Sequence, residues 1–337
     1  MADDDEKGGG DDEGGGEDRR LTPIEERLCE RAAEILDGDP QEVLYQHTVL
    51  CQTYFPYRDP KTTRRWERSN GRVSLLVQAG EILDPRSGKF REVGLPFGPK
   101  SRLIFGHLNR RALQAGTNVI PLDEGSFTAF VRSMQDPLHD TAVAPNGREV
   151  RAYREQLARL SVARFTLAAR VDERRVLQES PQIIEKLEVT LHGDERQRHL
   201  WPEHITLSPR YWESLQKHAV PLDARALAAL SHSALAIDIY QWLAQRLHRI
   251  PDGREVILPR AVLHHQFGEG YGRERRFWEK FVEALRQVVS QYPRARLHVS
   301  DEGLHLQSSP PPVPRRLFPV HALPPTPDDD DDPGELH

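Results

Sequence analysis

The amino-acid sequence predicts an α+β fold, mainly helical, with tandem winged-helix domains, short β-wings and disordered acidic ends. Two observations lead to this fold class. After residue 100 one order of elements occurs twice: a helix, a strand, a short helix, a long basic helix and two short strands. That order is typical of a winged helix, a helix-turn-helix with an added hairpin, whose third helix enters the major groove of DNA.

The second observation is the distribution of charge. The net charge is −6, yet residues 1–20 and residues 322–337 each carry −6, which leaves 43 basic and 37 acidic residues between them. Residues 310–327 also hold eight prolines. We therefore predict disordered tails at 1–20 and 310–337 around a moderately basic body, which suits a polyanionic partner. The tails are either solvated disorder or competitors of DNA for the basic face.

Several classes of protein are excluded by the residues. No apolar run approaches the roughly 18 residues of a membrane span. Residues 3–18 are acidic and glycine-rich, unlike a secretory signal. Cys29 and Cys51 are too few for a disulfide framework or a cysteine-based zinc finger. We expect a soluble, cytosolic protein that does not associate with a membrane.

No catalytic or cofactor motif is complete. Gly94–Ser101 looks like a phosphate loop, but Pro99 separates the second glycine from the lysine and removes an N–H. His264 and His265 are adjacent, so their rings point to different faces of a helix and cannot chelate together. Asp238 is a lone carboxylate in an apolar helix, and we expect it to be capped or paired rather than catalytic. We expect no cofactor, no metal, and action by binding rather than catalysis.

Residues 21–97 form an N-terminal extension before the first repeat. Leu21–Leu36 is predicted to be a helix, with Thr22 as N-cap and Pro23 at its first position. Val73–Val77 alternates like a strand, and residues 84–88 are typical of a turn.

The first winged-helix domain is predicted over residues 98–200 and the second over 201–309. The elements of the first are the helix Ser101–Gln114, the strand Asn118–Leu122, a short helix from Ser126, the helix Gly147–Val162, and the strands Arg164–Ala168 and Leu187–Leu191. The elements of the second are the helix Ser233–Ile250, the strand Glu255–Leu258, the helix Ala261–Phe267, the helix Arg273–Tyr292, and a hairpin of Arg296–Val299 with Leu304–Leu306.

The two long basic helices carry the candidate DNA-binding residues. At about 100° per residue, apolar side chains share one face of each helix and arginines lie on the other. Arginine reads guanine with two hydrogen bonds and neutralises phosphate. The candidates are Arg148, Arg151 and Arg159 on the first helix, Arg275, Arg276 and Arg286 on the second, and Arg294 and Arg296 beside the second wing. The alternative is an ordinary solvated face with Glu/Arg pairs, which Glu155, Glu279 and Glu283 favour.

Several longer stretches resemble one known family. They are His47–Thr53, Pro56–Pro60, Trp66–Gly71, Glu92–Arg102 continuing to Asn109, Ser126–Arg132, Leu200–Pro202, Pro221–Asp223 through Tyr240–Trp242, and Phe267–Gly272. Together they resemble the plasmid-encoded RepA-type replication initiators of proteobacterial plasmids, over most of the folded part of the chain. The acidic ends lie outside the resemblance.

This resemblance implies a cytoplasmic protein that binds its own double-stranded plasmid origin. Such initiators help to open an AT-rich segment, recruit the host initiator and the replicative helicase, and in many cases repress their own promoter. Three alternatives stay open: a transcriptional autorepressor, a nicking or priming enzyme, and an adaptor whose acidic tails bind proteins. The residues leave the origin sequence and homodimer formation undetermined.

Overall fold

The structure is a computed structural model, and it describes residues 20–84, 87–122, 126–135, 144–170, 176–179, 183–190, 201–314 and 317. The predicted acidic ends lie almost entirely outside these residues. Within them the fold is α+β, as predicted. The helices are α1 Pro23–Asp37, α2 Thr48–Gln52, α3 Gly98–Ala115, α4 Phe127–Gln135, α5 Gly147–Val162, α6 Pro209–His218, α7 Ala224–Ala229, α8 Ala234–Arg246, α9 Arg260–Phe267 and α10 Glu274–Gln291.

Strands connect these helices. They are β1 Val43–His47, β2 Arg65–Ser69, β3 Val73–Gln78, β4 Glu81–Asp84, β5 Lys89–Glu92, β6 Val119–Pro121, β7 Arg164–Arg170, β8 Val176–Glu179, β9 Ile184–Thr190, β10 Trp201–Leu207, β11 Ala219–Asp223, β12 Glu255–Pro259, β13 Leu297–Val299 and β14 Gly303–Gln307. Each helix and strand predicted from the sequence corresponds to one of these elements.

The chain repeats a longer order of elements than the sequence indicates. The first unit runs α1, β1, α2, α3, β6, α4, α5, β9 and β10, and the second runs α6, β11, α7, α8, β12, α9, α10, β13 and β14. Their sheets share one antiparallel order, β6-β10-β9 in the first and β12-β14-β13 in the second. The first unit additionally holds β2 to β5 and β7 with β8, and four of these strands form the sheet β2-β3-β7-β8.

The strand pairing of the first unit corrects two predictions. The strand predicted at Arg164–Ala168 belongs to β7, which pairs with β3 and β8 and is not part of a wing. The hairpin partner of β9 is β10, which the sequence places at the start of the second domain. Alternating side chains identify a strand without identifying its partner, because register and pairing are set by tertiary packing. The predicted boundary at residue 200 therefore precedes a strand of the first sheet.

The N-terminal extension joins the two units. Thr22 caps α1 as predicted, and its hydroxyl accepts from the Glu25 N–H. β1 pairs antiparallel with β11 along its whole length. At the end of α1, Arg225 donates from Nη1 to the carbonyl of Glu34 (2.7 Å) and from Nη2 to that of Gly38 (3.0 Å). These bonds satisfy carbonyls that a helix end leaves unpaired, so α1 is held by the second unit.

A buried ion pair links α3 of the first unit to α8 of the second. Arg102 of α3 donates from Nε to Asp238 Oδ1 (2.6 Å) and from Nη2 to Oδ2 (2.7 Å). Both side chains are almost fully buried, and Arg102 also donates to the carbonyls of Phe55 and Gly98. Burial raises the pKa of Asp238 to about 6, although the guanidinium opposes this shift. Asp238 is therefore paired, in agreement with the expectation from the sequence.

The chain stays packed on the body beyond residue 310, where the sequence predicts that a disordered tail begins. Residues 310–314 are described and pack on the body, although the sequence predicts a tail from residue 310. The Tyr292 hydroxyl donates to the carbonyl of Pro310 (2.7 Å), and Val313 is fully buried. A proline-rich composition therefore did not prevent an extended segment from packing here.

Two expected absences can be compared with the described residues. No described helix is both long enough and apolar enough to cross a membrane. Cys29 and Cys51 are both free, the first exposed and the second buried.

Candidate nucleic-acid interface

The amphipathic pattern of α10 sets which of its side chains face outward. Phe277, Phe281, Leu285 and Val288 are buried in the core, as the sequence predicts. Burial of four large apolar groups at helical spacing fixes the rotation of α10 about its axis. Arg275, Arg276 and Arg286 are therefore on the exposed face.

The exposed cations of α10 differ in how far they are neutralised. Arg275 forms an exposed ion pair with Glu279 (3.1 Å), and Lys280 forms one with Glu283 (2.7 Å). Arg276 and Arg286 make no ion pair with the residues that the structure describes. Exposed pairs in water are weak and exchange readily. The strongest unneutralised positive charge on this face therefore comes from Arg276 and Arg286.

The turn between α9 and α10 is held by the N-terminal extension. The ring of Phe267, at the end of α9, stacks on Tyr54 and meets Trp242 edge-on. Arg68 of β2 reaches the same turn, where Nη1 contacts Glu269 Oε2 (2.7 Å) and Nη2 donates to the carbonyl of His265 (2.9 Å). The sequence analysis missed Arg68. The resembling stretches Trp66–Gly71 and Phe267–Gly272 mark the two sides of this contact.

A cleft of about 290 Å³ lies beside this turn. Its walls include Arg58, Trp66, Gly270 and Arg276. Tyr57 also lines it, and burial raises the pKa of that phenol well above its usual value, so the hydroxyl stays neutral. Arg58 is exposed, so the extension adds a cation next to the N-terminal end of α10. The sequence analysis missed this residue as well.

Arg294 and Arg296 lie just before the hairpin β13–β14, beside which the sequence predicts them. Arg294 lies just past the C-terminal end of α10, in a cleft with Leu36 and Arg225. Arg296 lies at the base of the hairpin, where its N–H donates to Ser309 Oγ (2.9 Å). The turn of the hairpin instead carries Asp301 and Glu302. Both arginines precede β13, the first strand of the hairpin, and the turn begins four residues after Arg296.

One contact joins α9, α10 and the hairpin turn. The guanidinium of Arg260, the first residue of α9, lies 4.8 Å from the centre of the Trp278 ring. Its Nη2 lies 3.6 Å from Asp301 Oδ1. Stacking over an indole orients a guanidinium while leaving its edge available. Arg260 therefore orders the two helices and the hairpin relative to one another.

Helix α5, which corresponds in the first unit to α10 in the second, exposes fewer arginines than predicted. Asn146 caps it, and Arg148 and Arg151 are exposed near its start. Arg159 is buried, which corrects its assignment to the outer face. It pairs with Glu155 (2.6 Å) and Asp59 (3.2 Å) and donates to the carbonyl of Leu95 (2.9 Å). Asp59 and Leu95 belong to the extension, which covers this end of α5.

Comparison with known proteins supports one family. The family described as "Plasmid encoded RepA protein" matches residues 97–258. No curated protein sequence matches the chain. Crystal structures of domains 2 and 3 of RctB superpose with TM-scores of 0.49 and 0.44 at 11% and 12% identity. Each covers 77% of this chain, which spans 98% of the first and 94% of the second.

Proposed function

We propose that this chain is a replication initiator of the plasmid-encoded RepA family, whose model matches residues 97–258, and that it acts by binding the duplex DNA of its own plasmid origin. The observation that carries this proposal is the outer face of α10. Two arginines there are exposed and unpaired among the described residues, on the third helix of a unit with winged-helix element order. A helix in this position is the one that enters the major groove in winged-helix proteins.

The contacts divide into two kinds. Arg276, near the start of α10, and Arg286, about three turns along, lie about 80° apart around the helix axis, and both are exposed and available for base edges or phosphates. Arg58 and Arg275 add cations near the start of α10, where the helix dipole also favours phosphate. Phosphate contacts set the register of the helix, and one or two arginines supply sequence preference.

The two units bind as a pair in this proposal. The pairing of β1 with β11 and the buried pair of Arg102 with Asp238 hold the units against one another. Their third helices, α5 and α10, therefore approach DNA at a fixed separation, as two recognition helices of one chain would on successive grooves. Arg148 and Arg151 supply the contacts of the first unit. A fixed separation restricts the spacing of the sites in the origin.

Later steps of initiation follow from binding. Bending of the DNA between two anchored helices favours opening at AT-rich steps, which deform more easily. Host initiator and replicative helicase are then the protein partners, the compartment is the bacterial cytoplasm, and the chain itself catalyses no reaction. Homodimer formation on repeated sites is part of the same proposal.

Fluorescence anisotropy with labelled origin DNA and a scrambled duplex, across a salt series, tests the proposal. The full chain should prefer the origin, and log K should fall with log salt by about 0.9 for each phosphate contacted. Changing Arg276 and Arg286 together to Ala should weaken origin binding by about 100-fold, at about 1–3 kcal/mol for each arginine.

Arg210→Ala is the matched control, because Arg210 is an exposed arginine of α6, which packs on β1 and α3. It should leave the affinity within about twofold, as surface substitutions outside an interface do. Equal binding of origin and scrambled DNA by the wild type would contradict the proposal.

Transcriptional autorepression uses the same interface, so binding alone does not separate it from initiation. The separating experiment supplies the gene in trans to a plasmid that carries only the origin. Replication of that plasmid, lost in the Arg276 and Arg286 double variant, is expected of an initiator. A pure repressor would bind the DNA without supporting transformation.

A further inference from the structure

The sheet of the second unit brings together three side chains that are far apart in the sequence. Glu255 lies on β12, His305 on β14 and His298 on β13, so each strand contributes one residue. His298 is directly opposite His305 in the register of β13 with β14. His305 is opposite Ile257, two residues from Glu255 on the same strand. Because side chains alternate along a strand, all three project from the same face of the sheet.

This face is the one turned away from the core. Leu304 and Leu306, the neighbours of His305, are fully buried on the opposite side. Glu255 and His298 are exposed, whereas His305 is mostly buried between them. The packing of the core therefore does not require histidine at residue 298 or 305.

The donor atoms are close and oriented. The rings of His298 and His305 stack with centroids 4.2 Å apart, at 18° to one another. His305 Nδ1 lies 3.2 Å from Glu255 Oε2, and Gln307 Nε2 donates to Glu255 Oε1 (3.0 Å). One ligand atom of each of the three residues lies within 4.8 Å of the other two. Gln307 thus fixes one carboxylate oxygen and leaves the other directed at the imidazole, as supporting groups do around metal ligands.

We propose that Glu255, His298 and His305 form a binding site for a divalent transition metal of the Zn²⁺ class. Zinc takes imidazole nitrogen at about 2.0–2.1 Å and carboxylate oxygen at about 2.0–2.2 Å. Donors around one tetrahedral ion are therefore about 3.4 Å apart, which small side-chain rotations reach from the observed arrangement. Two imidazoles and one carboxylate favour Zn²⁺, Co²⁺ or Ni²⁺ over Mg²⁺ and Ca²⁺, which prefer oxygen.

The site would cross-link the whole sheet. Its ligands come from all three strands, so a bound ion holds the hairpin β13–β14 to β12, the strand that leads into α9. The three-stranded sheet gains stability when metal is present, by mass action on the folded state. Among the described residues no other group of three such side chains is this close.

The test is calorimetric titration of the full chain with ZnCl2 at pH 7.5, beside His298→Ala and Glu255→Gln. We expect one equivalent of zinc to bind at least about tenfold more tightly to the wild type than to either variant, since even supporting residues of metal sites contribute about 10–100-fold. The other histidines and the acidic segments bind zinc weakly in all three proteins, so that background is common to them. Both substituted residues are exposed, so the variants should keep the fold, which circular dichroism checks.

His265→Ala is the matched control, because it removes an exposed histidine of α9 outside the cluster. It should bind zinc like the wild type. A second measurement is the thermal midpoint, which zinc should raise in the wild type and in His265→Ala but not in His298→Ala. Identical isotherms for the wild type and His298→Ala, or no tight equivalent in the wild type, would overturn the proposal.

Discussion

The helices α5 and α10 have similar lengths and occupy the same place in the element order of their units. Their outer faces nevertheless differ. α10 keeps its exposed face along its full length, from Arg275 to Arg286. α5 is exposed near its start, while its last turns are covered by the extension that binds Arg159. Arginines are therefore exposed near both ends of α10 in the second unit, but only near the start of α5 in the first. The inserted strands, which the second unit lacks, account for the difference.

The connection between the units is the feature whose loss should have the largest effect. Changing Asp238 to Asn leaves Arg102 buried without a charged partner, which typically destabilises a protein by about 3–5 kcal/mol. Urea unfolding should therefore show a drop of that size. A double variant, Arg102→Met with Asp238→Leu, should recover most of it, because an apolar pair of similar volume removes both desolvation costs. Equal losses in the single and double variants would show that the pair does not join the units in this way.

Two arginines of α5 should differ in what they contribute: Arg159 to the stability of the fold, and Arg151 to DNA binding. Arg159→Ala removes hydrogen bonds to the Leu95 carbonyl, Asp59 and Glu155, and should lower the free energy of unfolding by about 2 kcal/mol. Its origin affinity, measured below the unfolding transition, should keep the salt dependence of the wild type. Arg151→Ala should leave the unfolding free energy within about 0.5 kcal/mol and reduce the salt slope by about one. A reversed outcome would return Arg159 to the outer face that the sequence predicts for it.

Much of the fold was predictable because its signals are local. Thr22, with Glu25 three residues later, marks the start of α1, and the apolar stripe of α10 gives its length to within one residue at each end. The strand order of the first unit was not predictable, since β7 and β9 have equally good strand patterns and only packing assigns their partners. For the same reason the sequence identified the repeated order of elements but gave β7 instead of β10 as the partner of β9 in the first unit.

The residues of the candidate site likewise fall into those that local sequence patterns predict and those that only the tertiary structure brings together. The outward arginines of α10 follow from helical periodicity, and all three are exposed as predicted. Arg159 fits the same periodicity but is buried, because Asp59, 100 residues away in the sequence, covers it. Arg58 and Arg68 were missed since nothing local connects β2 or the segment before it with the α9–α10 turn. The Glu255, His298 and His305 cluster depends on strand register, whereas the sequence search considered only closely spaced histidines.

The first unit should also carry a marked sensitivity to acid. His107 of α3 is buried, its Nε2 has no partner in the described part of the chain, and burial lowers its pKa to about 3. The unfolded chain takes up a proton near pH 6.5 that the folded chain does not, so the free energy of unfolding falls as the pH decreases. Between pH 7 and pH 5 this histidine should account for a loss of about 2 kcal/mol.

His107→Leu removes the titrating group and should make the pH dependence of urea unfolding shallower by that amount. His265→Ala is the control, because an exposed histidine should leave the slope nearly unchanged. An unchanged slope in His107→Leu would mean that this imidazole takes up its proton in the folded chain over the same pH range as in the unfolded chain.

Substitution of Arg294 or Arg296 should have the smallest effect on DNA binding. These two residues test where the DNA-contacting surface of α10 ends. Arg294 lies beyond the C-terminal end of α10, roughly 27 Å along the helix from its first turn, and Arg296 lies at the base of the hairpin rather than its turn. Either change to Ala should weaken origin binding by no more than about threefold and reduce the salt slope by at most about one. Arg276→Ala, measured in the same series, should weaken origin binding by about tenfold, which is more than either of these changes. Suppose instead that Arg294→Ala weakens origin binding as much as Arg276→Ala does. The DNA contact would then extend around the C-terminal end of α10, and the protein would cover more of the groove than the exposed face of α10 alone can reach.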